Sequence, residues 1–259
     1  MNFIVLKYER IDSTNTEALD QARRGADEGL CIVAREQTAG RGRHGRTWVS
    51  EKDAGLYFSL ILRPKLDPQF LPLITLMAAV AVHDALEEMF RIECDIKWVN
   101  DIHVNQKKIC GILAETSETE KGPAVVVGIG INFKSSNFSP ELAATVTAIE
   151  TEAGAPASTE KFLPVLTAFL EKFCDILYGI DGPRKIREEW TKRSSYAAGK
   201  NVRVAIGDEM IYGTTRGIEQ NGALRLELQS REIKIIHAGD VEQLREDLPQ
   251  RHEGHKETV

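Results

Sequence analysis

The sequence predicts an α+β protein with a large mixed part followed by a small all-β part. Three observations lead to this prediction. Segments with strand-like alternation and segments with helical spacing are interspersed up to about residue 198. From Asn201 onward, short strands and tight turns replace the helices. A length of 259 residues also suits one large domain and a small one.

The large part begins with a strand, a helix and a second strand. Phe3–Tyr8 is the first strand, and Thr14 followed by Glu17 has the spacing of a capping box, which predicts a helix over Asn15–Arg24. Leu30–Ala34 is the next, fully apolar strand. The rest of the large part has these predicted elements: strands over Leu56–Leu62, Ile92–Trp98 and Ala124–Asn132, a hairpin over Ile102–Val104 and Lys107–Glu115, and helices over Ser158–Tyr178, Gln69–Phe90 and Lys185–Arg193.

The small part is predicted to be a separate β unit. Asn221-Gly222 follows Ile218 and precedes the alternating apolar residues Leu224 and Leu226, which is the strongest short-range signal of a hairpin. The chain is therefore expected to divide into a large domain over 1–198, a small β domain over 199–247 and a flexible tail over 248–259.

Composition and charge exclude several classes of protein. The 33 Lys+Arg against 39 Asp+Glu give a net charge of −6, which argues against general nucleic-acid binding. The N-terminus has no signal-peptide pattern, and the longest apolar stretch, Phe70–Val82, is shorter than the ~20 residues that span a bilayer. The four cysteines form no Cys-x-x-Cys pair and are expected to be buried thiols. We therefore expect a cytoplasmic protein with neither a membrane nor a DNA partner.

The most informative segment is the Gly-Arg loop, Gly40–Trp48, which contains three glycines and three arginines. Arginine holds phosphate or carboxylate oxygens with two donors, and glycine lets backbone N–H groups approach an anion. Trp48 adds an aromatic face on which a purine can stack. Two interpretations stay open: a flexible solvated basic loop, or an anion-binding loop that its ligand orders.

A second candidate segment is Lys97-Trp98-Val99-Asn100-Asp101, which ends a predicted strand. A lysine there can reach a carboxylate or phosphate, and Asn100 and Asp101 suit a nucleotide or hydrated Mg²⁺. The alternative is a Lys97–Asp101 ion pair with Asn100 in a turn. The glycines of Gly111–Glu115 and Gly128–Asn132 mark strands that another group approaches closely, or plain packing.

Taken together, these motifs resemble bacterial biotin–protein ligases. The loop matches that family's Gly-Arg-Gly-Arg-x-Gly-Arg-x-Trp, and Lys97–Asp101 matches Lys-Trp-Pro-Asn-Asp at all positions but one. Early Ser-Thr-Asn, Gly-Ile-Leu-x-Glu and Gly-x-Gly-x-Asn segments follow in the family's order, within Asp12–Arg245. The resemblance implies the class II synthetase-like biotin/lipoate ligase fold, a mixed β-sheet with helices packed on one face, and then a small SH3-like β-barrel.

The resemblance also implies an ATP-dependent ligase with Mg²⁺. Such an enzyme activates biotin as biotinyl-5′-AMP and transfers it to a lysine of a biotin carboxyl carrier domain, as in acetyl-CoA carboxylase. Lys97 and Arg43 would be catalytic, and Asp101 is a candidate metal ligand. The implied biotin-binding residues are Ser13, Thr14, Asn15, Gln37, Gly40, Arg41, Gly42, Arg43, Lys97 and Gly111. The implied ATP- or adenylate-binding residues are Arg41, Arg43, Arg46, Trp48, Asn100 and Asn132.

Two departures and two alternatives accompany this hypothesis. Val99 replaces the family's proline, and His44 stands where a further arginine is common. The residues before Ser13 leave no room for a DNA-binding domain, so we expect a ligase without repressor activity. The alternatives are a lipoate or octanoate ligase or transferase, whose Arg-Arg and Gly-Gly-Gly-x-Val-Tyr-His patterns are missing here, and a non-catalytic binder of biotin or its adenylate. A homodimer is a further expectation.

Overall fold

The computed structural model describes residues 1–135 and 138–243, which form two β-sheets and their helices. The predicted tail over 248–259 lies outside the described residues. The large sheet has the strand order β1-β2-β3-β7-β6-β5-β4. Its strands are β1 (Ile4–Tyr8), β2 (Leu30–Ala34), β3 (Gly55–Leu62), β4 (Asp95–Lys97), β5 (Asp101–Val104), β6 (Lys107–Ser117) and β7 (Ala124–Asn132).

Six α-helices are described. They are α1 (Thr14–Arg23), α2 (Leu73–Phe90), α3 (Pro140–Ala143), α4 (Ile149–Ala153), α5 (Thr159–Tyr178) and α6 (Gly182–Arg193). Strands β1 and β2 pair in parallel across α1, and the other neighbours in the large sheet are antiparallel. The predicted mixed sheet is therefore confirmed, whereas the short helices α3 and α4 had no sequence prediction.

Helices cover both faces of the large sheet, so the expectation of helices on one face is wrong for α1. Alternate residues of β3 point in opposite directions. Phe58 and Leu60 belong to the main core with α2 and α5, whereas Ile61 packs with Ala18 and Ala22 of α1. The parallel β1–α1–β2 connection requires a crossover, and this crossover places α1 on the face opposite α2.

The start of α1 is held by Gln37, which precedes the Gly-Arg loop, and not by the predicted capping box. Ser13 is the N-cap, and its side chain makes no capping hydrogen bond. Instead, Gln37 Oε1 accepts from the Thr14 backbone N–H at 2.7 Å and from the Thr14 hydroxyl at 3.1 Å. Glu17 accepts from the Tyr8 hydroxyl. The helix start is thereby fixed to the segment that leads into the loop.

The other predicted elements are found with small shifts. The strand predicted over Ile92–Trp98 is only the short β4, because residues before Asp95 form no sheet pairs. The β5–β6 hairpin turns at Asn105 and Gln106, which have φ of 49° and 66°. Ser158 caps α5 by accepting from the Lys161 backbone N–H, as predicted.

The C-terminal sheet has the order β11-β10-β9-β8-β12. Its strands are β8 (Ala198–Ile206), β9 (Glu209–Ile218), β10 (Leu224–Glu227), β11 (Ile233–Ile236) and β12 (Asp240–Gln243). Within residues 198–243, no pairing between β11 and β12 closes this sheet into a barrel. The sheet packs on the large part, and one contact between them is the hydrogen bond from Trp98 Nε1 to the Gly222 carbonyl at 2.9 Å. A β-carbon at Gly222 would lie 3.0 Å from Leu73 and Leu76 of α2.

One helical segment, Pro68–Phe90, is long and apolar enough by composition to cross a membrane, with a mean hydropathy of 1.5. In this fold, 72% of the most apolar 18-residue stretch of this segment is buried. The segment contains α2, which packs against α5 and α6 in the main core. A buried core helix has the same length and composition.

Candidate functional site

A cleft of about 470 Å³ lies over β3, β7 and β6, between the start of α1 and the Gly-Arg loop. It brings together ten residues that the sequence singled out: Ser13, Thr14, Asn15, Gln37, Arg41, Gly42, Arg43, Trp48, Asn100 and Gly111. Five other predicted residues do not line it: Gly40, Arg46, Lys97, Asp101 and Asn132.

The floor of the cleft is a patch of sheet without side chains. Gly111 of β6 lies directly opposite Gly130 of β7, and the Trp48 ring packs on both. A β-carbon would lie 2.9 Å from Trp48 Cζ3 at Gly111 and 2.5 Å from Cε2 at Gly130. The glycine strands therefore admit an aromatic ring, which is one of the two interpretations their sequences left open.

Buried hydrogen bonds fix the wall formed by α1. Ser59 is fully buried on β3, and its hydroxyl lies 2.6 Å from Asn15 Oδ1 and 2.8 Å from the Thr14 hydroxyl. A β-carbon at Gly128 would lie 2.1 Å from Asn15 Oδ1, so only glycine leaves space for this amide. Sequence reasoning missed Ser59. Its signal was a hydroxyl in the middle of the otherwise apolar run Leu56–Leu62.

The Gly-Arg loop is a small hairpin. The Trp48 backbone N–H donates to the Gly40 carbonyl at 2.9 Å, and Gly42 donates to the Arg46 carbonyl at 2.7 Å. His44 has a φ of 53° at the turn. Gly40 contributes through its lack of a side chain, because a β-carbon there would lie 2.3 Å from the Trp48 carbonyl oxygen.

Each of the three loop arginines has a partner on a different part of the chain. Arg41 forms an ion pair with Glu115 at 2.5 Å. Arg43 Nη1 donates to Asn100 Oδ1 at 2.9 Å. Arg46 forms an ion pair with a C-terminal carboxylate, that of Asp240 on β12. The two carboxylates among these partners offset part of the mutual repulsion of the arginines.

A second cavity, of about 550 Å³, separates the large part from the C-terminal sheet. Its charged lining consists of the cations of Lys97, Arg43 and Arg46 and the carboxylates of Asp101, Asp240 and Glu242. Arg43 also lines the first cleft, so this guanidinium lies between the two spaces. Burial lowers the pKa of Lys97. The expected biotin-site lysine thus faces the second cavity instead of the first cleft.

The lysine that does line the first cleft is Lys108 of β6, which sequence reasoning missed. Its Nζ lies 2.7 Å from Asp101 Oδ1 and 5.3 Å from the centroid of the Trp48 ring. Burial by itself raises the pKa of Asp101, but the adjacent His103, Lys108 and Lys97 outweigh it and hold this pKa at about 2. Asp101 is therefore an ionised partner of the lysines.

The described carboxylates give little support to a protein-bound metal at this site. Asp101, Asp240 and Glu242 are each engaged by a lysine or arginine. In residues 1–135 and 138–243, one group has the spacing of metal ligands, namely His83, Asp84 and Glu87 on α2. Asp84 is already bound by Arg193 at 2.5 Å, and the group lines neither cavity. Asp101 thus does not fit the expected metal role.

Two further features lie apart from the cleft. Asn132 Nδ2 donates to the Thr147 carbonyl at 3.0 Å, and Asn132 lines neither of these two cavities, so its nucleotide contact stays a prediction. A larger space of about 1390 Å³ lies beside the start of α5, and its lining contains none of the predicted site residues.

Comparison with known proteins identifies the family. Residues 8–132 match the biotin/lipoate A/B protein ligase family, and residues 198–243 match the biotin protein ligase C-terminal domain. The chain is 39% identical over 238 residues to the bifunctional ligase/repressor BirA of Bacillus spizizenii, covering 90% of this chain and 71% of that protein. It is 34% identical over 230 residues to the biotin–[acetyl-CoA-carboxylase] ligase of Paracoccus denitrificans, covering 84% and 91%.

The fold agrees with solved structures. The biotin protein ligase from Aquifex aeolicus in complex with biotin and ATP superposes with a TM-score of 0.80 at 27% identity, covering 93% of this chain and 98% of that one. Both sheets take part in this match. The two matched regions and the similarity to BirA show that this chain belongs to the biotin protein ligase family.

Proposed function

We propose that this protein is an ATP-dependent ligase that converts biotin to biotinyl-5′-AMP and then biotinylates a lysine of a biotin carboxyl carrier domain. The observation that supports the proposal is that Arg43 lines both the first cleft and the second cavity. The first cleft has polar walls and an aromatic ring, whereas the second has the cations of Lys97, Arg43 and Arg46 beside three carboxylates. We assign the small carboxylic acid to the first space and the phosphates of the nucleotide to the cations of the second.

In the first step, a carboxylate oxygen of biotin attacks the α-phosphorus of ATP, and the bond to the bridging oxygen of pyrophosphate breaks. Both reactants are anions, so cations must lie where they meet. Lys108 lines the cleft and Arg43 lies between the two spaces, so we assign these two residues to the carboxylate and the α-phosphate. Lys97 and Arg46 are assigned to the β- and γ-phosphates. The revised catalytic pair is Lys108 and Arg43.

In the second step, the amine of an acceptor lysine attacks the acyl carbon of the adenylate, and AMP leaves. The adenylate would hydrolyse in bulk water, so the hairpin over the cleft keeps the mixed anhydride enclosed until the acceptor arrives. Mg²⁺ enters as the counter-ion of the nucleotide, because it commonly binds through substrate phosphates. We assign it no protein ligand.

The cellular setting is part of the same proposal. Cys31, Cys94, Cys110 and Cys174 are all free thiols, and burial raises the pKa of Cys31 and Cys94 to about 12. Three of these thiols are buried and Cys94 is half-buried, and free thiols of this kind are typical of a reducing compartment, which supports the cytoplasm. A homodimer stays a prediction that sedimentation analysis can test.

The direct test is biotin-dependent exchange of labelled pyrophosphate into ATP. We expect exchange with biotin, and a fall of roughly 100-fold or more for Lys108→Gln, since removing one donor to a developing charge costs about that much. Lys97→Gln should raise the KM for ATP more than it lowers kcat. Lys121→Gln, which removes an exposed surface cation paired with Asp27, is the matched control and should behave as wild type.

Three results would contradict the proposal in different ways. Exchange with lipoate or octanoate but not with biotin would make the protein a ligase for that acid. Binding of biotin without any exchange would make it a non-catalytic binder. Full exchange by Lys108→Gln would remove the role given to this lysine while leaving the overall reaction in place.

A further inference from the structure

We propose that Glu115 is a positioning residue that couples occupancy of the first cleft to the position of the Gly-Arg loop. This inference rests on the proposed function for the identity of the ligand. It begins from the last residue of the Gly-Ile-Leu-x-Glu segment, to which the two-step reaction assigns no role. Glu115 lies on β6, four residues beyond the floor residue Gly111.

The two carboxylate oxygens of Glu115 face different partners. Oε2 accepts from Asn15 Nδ2 at 2.9 Å, and Oε1 is paired with Arg41 Nη2 at 2.5 Å. Asn15 belongs to the wall of the cleft and is 4% exposed. Arg41 belongs to the loop. A single side chain therefore joins the wall to the loop.

The connection on the cleft side is tightly constrained. The Asn15 side chain also donates to the Leu113 carbonyl at 3.2 Å and lies 2.6 Å from the buried Ser59 hydroxyl. Gly128 leaves no free space behind the amide. A ligand that contacts the Asn15 amide therefore acts on the same group that holds Glu115 Oε2, because close-packed groups transmit forces between them.

The connection on the loop side is adjustable. The Arg41 side chain is 42% exposed and the Glu115 side chain 21% exposed, so their ion pair is partly screened by solvent. Strengthening or weakening this pair changes how firmly the loop is held against β6. Ligand in the cleft and closure of the loop are then linked by one coupling free energy, which acts equally in both directions.

Limited trypsin digestion of the ligand-free protein tests the first half of the proposal, because trypsin cleaves after the three loop arginines. Glu115→Gln keeps an oxygen that can accept from Asn15 but removes the charge that holds Arg41. We expect cleavage within the loop, mapped by mass spectrometry, to become about fivefold faster than in wild type. Raising the salt from ~0.05 to ~0.5 M should accelerate cleavage in wild type and have less effect in the variant.

The matched control is Glu227→Gln. Glu227 pairs with Arg216 between neighbouring strands of the C-terminal sheet, with side-chain exposures of 26% and 45%, close to those of Glu115 and Arg41. Loop cleavage should be unchanged in this variant. Equal cleavage rates in wild type and Glu115→Gln, or equal acceleration in both variants, would overturn the positioning role.

Addition of biotin tests the coupling itself. Biotin should slow loop cleavage in wild type and have little effect in Glu115→Gln, while calorimetry still detects binding to both. Equal protection in both would refute the coupling. If biotin neither binds nor protects the wild type, the proposed function fails, but the ligand-free difference between Glu115→Gln and wild type still decides whether Glu115 holds the loop.

Discussion

Asp101→Asn is expected to remove a pH-dependent part of the protein's stability. The pKa of Asp101 is held at about 2 against an ordinary value of 3.8, mainly because the adjacent His103, Lys108 and Lys97 outweigh the effect of burial. This difference corresponds to about 2 kcal/mol. Since the pKa is lower in the folded state, the stabilisation is fully present above about pH 4 and is lost as the pH falls towards about 2.

Urea unfolding of wild type and Asp101→Asn at several pH values measures this contribution. The difference in unfolding free energy between the two should shrink by about 2 kcal/mol from about pH 5 to about pH 2. The comparison cancels the titration of the other carboxylates, which both proteins share. Asp27→Asn is the control, because the Asp27 side chain is 86% exposed and pairs with Lys121 at the surface.

If the difference in unfolding free energy between wild type and Asp101→Asn stays constant over this pH range, the reasoning is refuted. It would mean that the carboxyl titrates alike in the folded and unfolded chains, so that its contacts with the lysines contribute no net charge stabilisation. An equal pH-dependent loss in Asp27→Asn would show that the effect is a general property of surface ion pairs.

Two further predictions concern the cleft and its neighbour. Gly128→Ala places a β-carbon 2.1 Å from Asn15 Oδ1, so calorimetry should show biotin binding weakened by roughly tenfold or more, and urea unfolding should show a loss of about 1–3 kcal/mol; unchanged binding would mean that the Asn15 amide is not needed in this position. Asp240→Asn removes the carboxylate that pairs with Arg46, so steady-state kinetics should show a lower KM for ATP at unchanged biotin affinity. A higher KM would show that Asp240 instead holds Arg46 in place for the nucleotide.

The sequence predicted those site residues that lie in short contiguous motifs. Loop residues such as Arg41 and Arg43 and the segment Ser13-Thr14-Asn15 could be found because their residue types already suit an anion or a polar ligand. Their meeting in one cleft depends on α1 crossing above the sheet. The apolar run Leu56–Leu62 also indicated that both faces of the sheet are covered at this strand, since a strand buried along its whole length has packing on both sides.

The choice between the two lysines could not be made from the sequence, because it depends on strand register. Asp101 pairs with Lys97 on one side, in β4, and with Gly111 on the other side, in β6. A register shift between Ile102 and His103 then brings Lys108 beside Asp101. Sequence spacing cannot locate this irregularity, whereas the motif of Lys97 was directly visible. The sequence therefore singled out Lys97, which lines the second cavity, and not Lys108, which lines the first cleft.

The structure also changes the interpretation of the Gly-Arg loop. Three neighbouring arginines in a chain of net charge −6 suggest a loop that repels itself until an anion binds. In the fold, Arg41 and Arg46 are already paired with the carboxylates of Glu115 and Asp240, and Arg43 donates to the neutral Asn100 amide. Under the proposed function, a phosphate that binds Arg41 or Arg46 therefore replaces an existing ion pair. The net gain from each arginine is smaller than its charge suggests, so selectivity for the nucleotide depends on which partners it displaces.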